Sequence, residues 1–283
     1  CRAFQQALAY AHERRQGRAP GAEPGAASPI VDHPDVQRML LEMRSCIAAM
    51  RGLCYRNAEA LDLAARSTDE GERERADERA ALLTPLSKAW CTDLGVELTN
   101  LAVQVHGGMG YIEETGVAQH LRDARIAPIY EGTNGIQAID LVGRKLAMRA
   151  GGVVRDHLAS VGETIESMDG IEALAPVVDH LGAAAEAVGA AGEWLLEHAA
   201  ADLTDGLAGA APYLQMLSVL TGAQVLADGA VAAVAAGDDD ADDRVLLARF
   251  FAVNRLALVP AMVPAVTAGA RDLTAARGRL LAD

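Results

Sequence analysis

The chain has 283 residues, 51% hydrophobic and 23% charged, the composition of a soluble globular protein with one large or two modest domains. A formal charge of −14 and a pI near 4.9 argue against nucleic acid or an anionic membrane surface as general partners. Aromatic residues make up only 4% and alanine is abundant, so an all-α chain packed through small and aliphatic side chains is expected.

The N-terminus lacks the continuous apolar core of a signal peptide, and no apolar run is expected to reach the length of a membrane span. Cys1, Cys46, Cys54 and Cys91 lie on helical patterns without metal-ligand spacing, which suits a reducing cytoplasm. Residues 2–15 carry Phe4, Leu8 and Ala11 at helical spacing with no start signal ahead of them and no initial Met, so the chain reads as a fragment that begins inside a helix. Residues 17–31, rich in Gly, Pro and Ala, predict a long loop. Asp32 is then expected to cap a helix with Pro34 in its first turn and a stripe of Val36, Leu40, Met43, Ile47, Met50 and Cys54. A charged run, Ser67 to Arg79, carries a turn at Gly71. Leu82, Leu86, Trp90, Leu94, Leu98, Leu101 and Val105 form a second stripe, and the two stripes predict antiparallel neighbours in a bundle.

The densest run of special positions is Gln104 to Gln137, QVHGGMGYIEETGVAQHLRDARIAPIYEGTNGIQ. Three glycines in four positions after His106 allow positive φ and leave bare backbone against which a phosphate or ring could lie. His106 itself reads as a hydrogen-bonded structural histidine. Residues 116–124 predict a short helix capped by Thr115, ended by Pro128 and followed by an extended Ile129-Tyr130 pair. Glu131 comes next, just outside a helix whose N-cap is Thr133 or Asn134. A carboxylate in that setting is expected to be held rigidly and partly desolvated, and desolvation raises a Glu pKa toward the range useful to a general base.

The runs QVHGGMGY and RDARIAPIYEGTNGIQ resemble the C-terminal domain of the acyl-CoA dehydrogenases, and the resemblance extends from the first residue to about Met148. It implies that Glu131 removes the α-proton of an acyl-CoA thioester while the β-hydrogen leaves as hydride to the flavin of FAD, giving a trans-2-enoyl-CoA. Gln104, Gly107 and Gly108 match positions that contact the adenosine diphosphate part of FAD, commonly on a neighbouring subunit. Arg14 matches the arginine that contacts the pyrophosphate, Thr133 a position that touches the flavin nucleotide, and Gly132 one close to the substrate thioester. Gly135 stands where the family usually has Gln, and Gln16-Gly17-Arg18 stands where Thr-Phe-Gly usually follows the arginine. The resemblance further implies electron-transfer flavoprotein as acceptor, a homodimer or tetramer, and flavin-ring and N-terminal domains that the fragment lacks, so that the fragment alone would be inactive.

After Gly151-Gly152 the sequence turns to Ala-rich helices, expected near 153–168, 171–200, 210–236 and 241–272. The division expected is therefore a truncated acyl-CoA dehydrogenase C-terminal helical bundle, 1–150, followed by a second helical bundle, 151–283. The tail and the EGTNGIQAIDLVGRKL form of the box resemble the subset with an added C-terminal helical domain, which includes the 3-methylmercaptopropionyl-CoA dehydrogenases. The acidic run Asp238 to Asp243 lacks the glycine and distal Glu of a calcium loop and reads as an exposed turn, while His157, His180 and His198 are singles at no metal-ligand spacing, so no metal is expected. The alternatives are an acyl-CoA oxidase on the same scaffold, with oxygen as acceptor, and a non-catalytic helical interaction module.

Overall fold

The computed structural model describes residues 1–281 and is all-helical: among them there is no strand, only one isolated antiparallel bridge between Arg15 and Pro29. The helices are α1 (Arg2–Glu13), α2 (Pro34–Arg66), α3 (Glu70–His106), α4 (Gly108–Tyr111), α5 (Val117–Ala124), α6 (Asn134–Asp140), α7 (Gly152–Ser167), α8 (Ala175–Ala201), α9 (Leu203–Ala208), α10 (Ala210–Ala236), α11 (Ala241–Asn254), α12 (Val263–Val266) and α13 (Arg271–Arg277). They form two compact units, residues 1–48 with 91–130, and residues 49–90 with 131–283.

In the first unit α1 buries Ala3, Ala7 and Ala11, a stripe at spacing four. Gln6 near its start donates to the Thr115 carbonyl and lies 3.1 Å from the His120 ring, tying α1 to the segment that enters α5. The Gly/Pro/Ala loop is pinned on itself: Gln16 N–H donates to Ser28 C=O, Ser28 N–H to Gly17 C=O, and Ala19 N–H to the Ser28 hydroxyl. Helix α2 begins at Pro34 with His33 C=O accepting its first bond, so Asp32 is not the cap; it lies in a short 3-10 turn, Ile30–Asp32. Thr115 is likewise not the cap of α5. Its hydroxyl turns back to the Met109 and Ile112 carbonyls, and left-handed Gly116 precedes the helix. Residues 125–129 continue as turns, so Ile129-Tyr130 is not extended.

In the second unit α10 lies in the core, with buried residues from Ala210 through Ala233. It lies against α7, α8 and α11. Two glycines let helices approach closely: a Cβ at Gly222 would lie 2.6 Å from the Trp90 ring of α3, and one at Gly52 of α2 would overlap Val225 of α10. Helix α8 buries Val177, Leu181, Ala184, Val188, Ala191 and Leu195, alternating by four and three as in a bundle seam. The turn between α2 and α3 falls at residues 67–69, where the Asp69 side chain accepts from Glu72 N–H; Gly71 is inside the helix. The helix expected at 241–272 stops at Asn254 and gives way to a 3-10 segment, Leu256–Met262, and the single turn α12, because Pro260 and Pro264 interrupt the ladder. Contrary to expectation, two stretches among the described residues, Ala210–Ala236 and Ala241–Val266, are long and apolar enough to cross a membrane, each containing an 18-residue window of mean hydropathy 1.6. The apolarity of the first is accounted for by its burial within the bundle.

Candidate active site

Glu131 sits in a left-handed conformation, φ 53, followed by Gly132 at φ 83. Two left-handed residues in succession reverse the chain sharply, and for a residue with a Cβ that conformation costs about 1–3 kcal/mol and persists only where neighbours enforce it. The enforcement comes from α3. Lys88 Nζ donates to Gly132 C=O at 2.7 Å and to Asn134 Oδ1 at 2.8 Å, and Asn134 Nδ2 donates to Ala89 C=O at 3.0 Å. Thr133 is the N-cap of α6, its hydroxyl accepting from Ile136 N–H at 3.4 Å. Glu131 thus sits in a strained, double-clamped turn two residues before Thr133, the N-cap of α6. It is exposed, and the expected partial desolvation is not supplied by the described residues. Lys88 was not singled out in the sequence, although it is the only basic side chain between Arg79 and His106.

The other candidate residues gather in the first unit. Gln104 lies in the last turn of α3, and Gly107 N–H donates to its carbonyl at 3.0 Å while Gly107 takes φ 59. Of the glycine run only Gly107 has a positive φ; Gly108 starts the single turn α4, and Gly110 is required because its Cβ would strike the Val103 carbonyl. Nothing lies within 4 Å of a Cβ built at Gly107 or Gly108, so bare exposed backbone is available there. His106 is buried, its Nδ1–H donating to Ala102 C=O at 2.8 Å and its ring stacked on Tyr10 at 4.4 Å; burial holds its pKa below the ordinary value. Tyr10 C=O in turn accepts from Arg14 N–H, so the stack links the turn at Gly107 to the end of α1. Among the described residues the exposed Arg14 guanidinium has only a long contact, 3.5 Å, with Gln16 Oε1. An exposed arginine and an unobstructed glycine turn on one unit suit a diphosphate group.

No group of three or more His, Cys, Asp or Glu side chains among the described residues is placed to hold a metal. Asp240 of the acidic turn pairs with Arg244 Nε at 3.0 Å, and Asp242 and Asp243 lie in the first turn of α11, where the helix dipole favours them.

Residues 1–147 match the family described as acyl-CoA dehydrogenase, C-terminal domain, and residues 157–277 match one described as acetyl-CoA dehydrogenase C-terminal like. The 3-methylmercaptopropionyl-CoA dehydrogenase of Ruegeria pomeroyi is 43% identical over 235 residues, 83% of this chain and 40% of that protein. Two solved structures share the fold. An acyl-CoA dehydrogenase from Bacillus anthracis complexed with FAD gives a TM-score of 0.72 at 21% identity over 94% of this chain, and Caenorhabditis elegans ACDH-11 in complex with C11-CoA gives 0.74 at 18% identity over 100% of it. The chain spans 46% and 44% of those two, less than half of each protein it resembles. With the clamped glutamate turn and the glycine turn within the matched residues, the chain belongs to the acyl-CoA dehydrogenase family.

Proposed function

We propose that this chain is the C-terminal part of an FAD-dependent acyl-CoA dehydrogenase in which Glu131 is the base that removes the α-proton of an acyl-CoA thioester. The observation that carries the reading is the backbone of Glu131, a left-handed glutamate in an exposed turn whose following residues, Gly132 and Asn134, are held by Lys88. Strain of that kind in a non-glycine residue is retained where the placement of the side chain matters. FAD, when bound, supplies the acceptor for the β-hydride. Arg14, Gln104, Gly107 and Gly108 would hold its diphosphate and adenosine part, and Thr133 would touch the flavin nucleotide. Gly132 would lie near the thioester, where its lack of a Cβ leaves room for the substrate carbonyl. Ile136 and Ile139, in the unit that holds Glu131, are exposed apolar side chains shortly after it in sequence. Covering them with the remainder of a larger protein would exclude water and desolvate the base. The division into a truncated bundle, 1–150, and an added helical domain, 151–283, is part of this reading, supported by the extents of the two family matches. Electron-transfer flavoprotein as acceptor and a homo-oligomeric assembly belong to it as well.

The test is an anaerobic titration of the whole enzyme with a panel of acyl-CoAs, followed by flavin absorbance, in wild type and Glu131→Gln. Bleaching in wild type and its loss by several orders of magnitude in the variant, with FAD and acyl-CoA still bound, is the expected result. Activity of the variant within about tenfold of wild type would remove Glu131 from the role of base. Rapid reoxidation of the reduced flavin by oxygen would assign an oxidase instead.

A further inference from the structure

The second unit contains a polar cavity of about 370 Å³ that lies among α2, α3, α7 and α10 and includes none of the candidate active-site residues. That volume is within the range of small-molecule sites. Its hydrogen bonds can be assigned proton by proton. Ser160 Oγ donates to His157 C=O at 2.7 Å and Thr164 Oγ1 donates to Asp228 Oδ1 at 2.8 Å, so both hydroxyls have only lone pairs left to offer Gln224. The groups of Gln224 that face them at 3.1 and 3.2 Å must therefore be the two N–H bonds of its amide. Its Oε1 is left with no partner among the described residues although Gln224 is only 2% exposed. A buried carbonyl oxygen with no donor is destabilising, and such an atom lining a cavity calls for a donor brought from outside.

The same bookkeeping fixes His157. Thr221 Oγ1 spends its proton on Leu217 C=O at 2.7 Å and so accepts from His157 Nε2–H at 2.9 Å. Burial, with the charges of Arg56 and Arg79 adding to it, lowers the His157 pKa to about 4, so at neutral pH Nδ1 is a second acceptor, without a partner among the described residues. The cations that press on the ring are themselves available. Arg56 pairs with Asp228 through one nitrogen, and Arg79, exposed at the rim, makes no hydrogen bond or ion pair among the described residues. Two acceptors without donors and two guanidiniums with unused N–H groups therefore line one space. The exposed carboxylates of Glu59 and Glu163 at its edge disfavour a densely charged polyanion.

We propose that this cavity binds a small organic anion carrying hydroxyl groups, a hydroxycarboxylate or a polyol monophosphate, with its hydroxyls donating to Gln224 Oε1 and His157 Nδ1 and its anionic group held by Arg79 and Arg56. The site is separate from the proposed chemistry at Glu131, and its test does not depend on catalysis. Four probes divide the requirement: glycerate and glycerol 3-phosphate each carry two hydroxyls and an anionic group, succinate has only the anion, and glycerol only the hydroxyls. Binding to the full chain is read from the imidazole resonances of His157, assigned by their loss in His157→Gln, and from calorimetry. Saturable binding of glycerate or glycerol 3-phosphate, at least about tenfold tighter than succinate or glycerol and weakened about tenfold or more by Arg79→Ala, is expected. Which of the two binds more tightly separates carboxylate from phosphate. Arg79 is exposed, so its replacement leaves the fold intact, and Arg73→Ala, outside the cavity, serves as the charge control. Absence of any saturable shift at His157 with all four probes would overturn the proposal, and so would binding that Arg79→Ala and Arg73→Ala weaken equally.

Discussion

Lys88 connects a helix to a loop through one ammonium group, and the energetics of that link can be read separately from the chemistry it serves. Charged hydrogen bonds of this type contribute about 1.5–3 kcal/mol each when broken singly. Lys88→Met keeps the aliphatic stem and removes the donors to Gly132 and Asn134, so it is expected to destabilise the protein by roughly that amount. In the whole enzyme it should also slow flavin reduction about 10- to 100-fold, since displacement of a reacting group by about 1 Å is worth that much. Thermal unfolding and single-turnover reduction check the two parts, and an unchanged reduction rate would mean that the turn keeps its shape without the lysine. His157 offers a pH measurement. The unfolded chain protonates this ring near 6.5, the folded one only near 4, so between those values the unfolded state binds more protons. Stability contributed by the neutral ring is complete above pH 6.5 and falls as pH drops toward 4, by up to about 3 kcal/mol at 1.36 kcal/mol per unit. The difference between wild type and His157→Gln in urea unfolding from pH 7 to 4 isolates this slope from that of the carboxylates; equal slopes would refute the assignment.

At the level of helices, glycines decide how close two axes come. Gly222 faces the Trp90 ring, so Gly222→Val should cost about 1–3 kcal/mol through overpacking, while Gly162→Ala on α7, where a Cβ meets nothing within 4 Å, should stabilise by roughly 0.5–1 kcal/mol. Chemical denaturation of the pair checks the contrast, and similar effects at both positions would show that the Trp90 side chain yields without cost. These contacts mark where sequence reading stops. The stripes of α2 and α3 and the extents of α7 and α10 follow from apolar spacing and end signals carried by neighbouring residues, such as left-handed Gly237 after α10. The breaks do not: Asp32 and Thr115 have the right chemistry for caps, but the chain enters each helix through the next residue, His33 or Gly116, and the Thr115 hydroxyl is used elsewhere. The glutamate turn is legible as a motif because Glu131, Gly132 and Thr133 are adjacent. Lys88 and the Gln224 network are not, because their partners lie 44 and 46 residues away in one case and 60 to 64 in the other.

Across the whole molecule the buried residues are mostly Ala, Val and Leu, and the large rings in the second unit's core are few, Tyr213, Phe251 and Trp90. Tyr213 is fully buried beside Gly192, its hydroxyl without a partner among the described residues, and burial raises its pKa well above the ordinary phenol range. Alanine loses no rotamer freedom on burial, which suits α10, but it also removes little apolar surface from water. The heat capacity gained on unfolding follows apolar area, about 12–15 cal/mol/K per residue in ordinary domains. A core like that around α10 lies toward the lower end, so the free energy of unfolding bends little with temperature and a modest stability is spread over a wide thermal range.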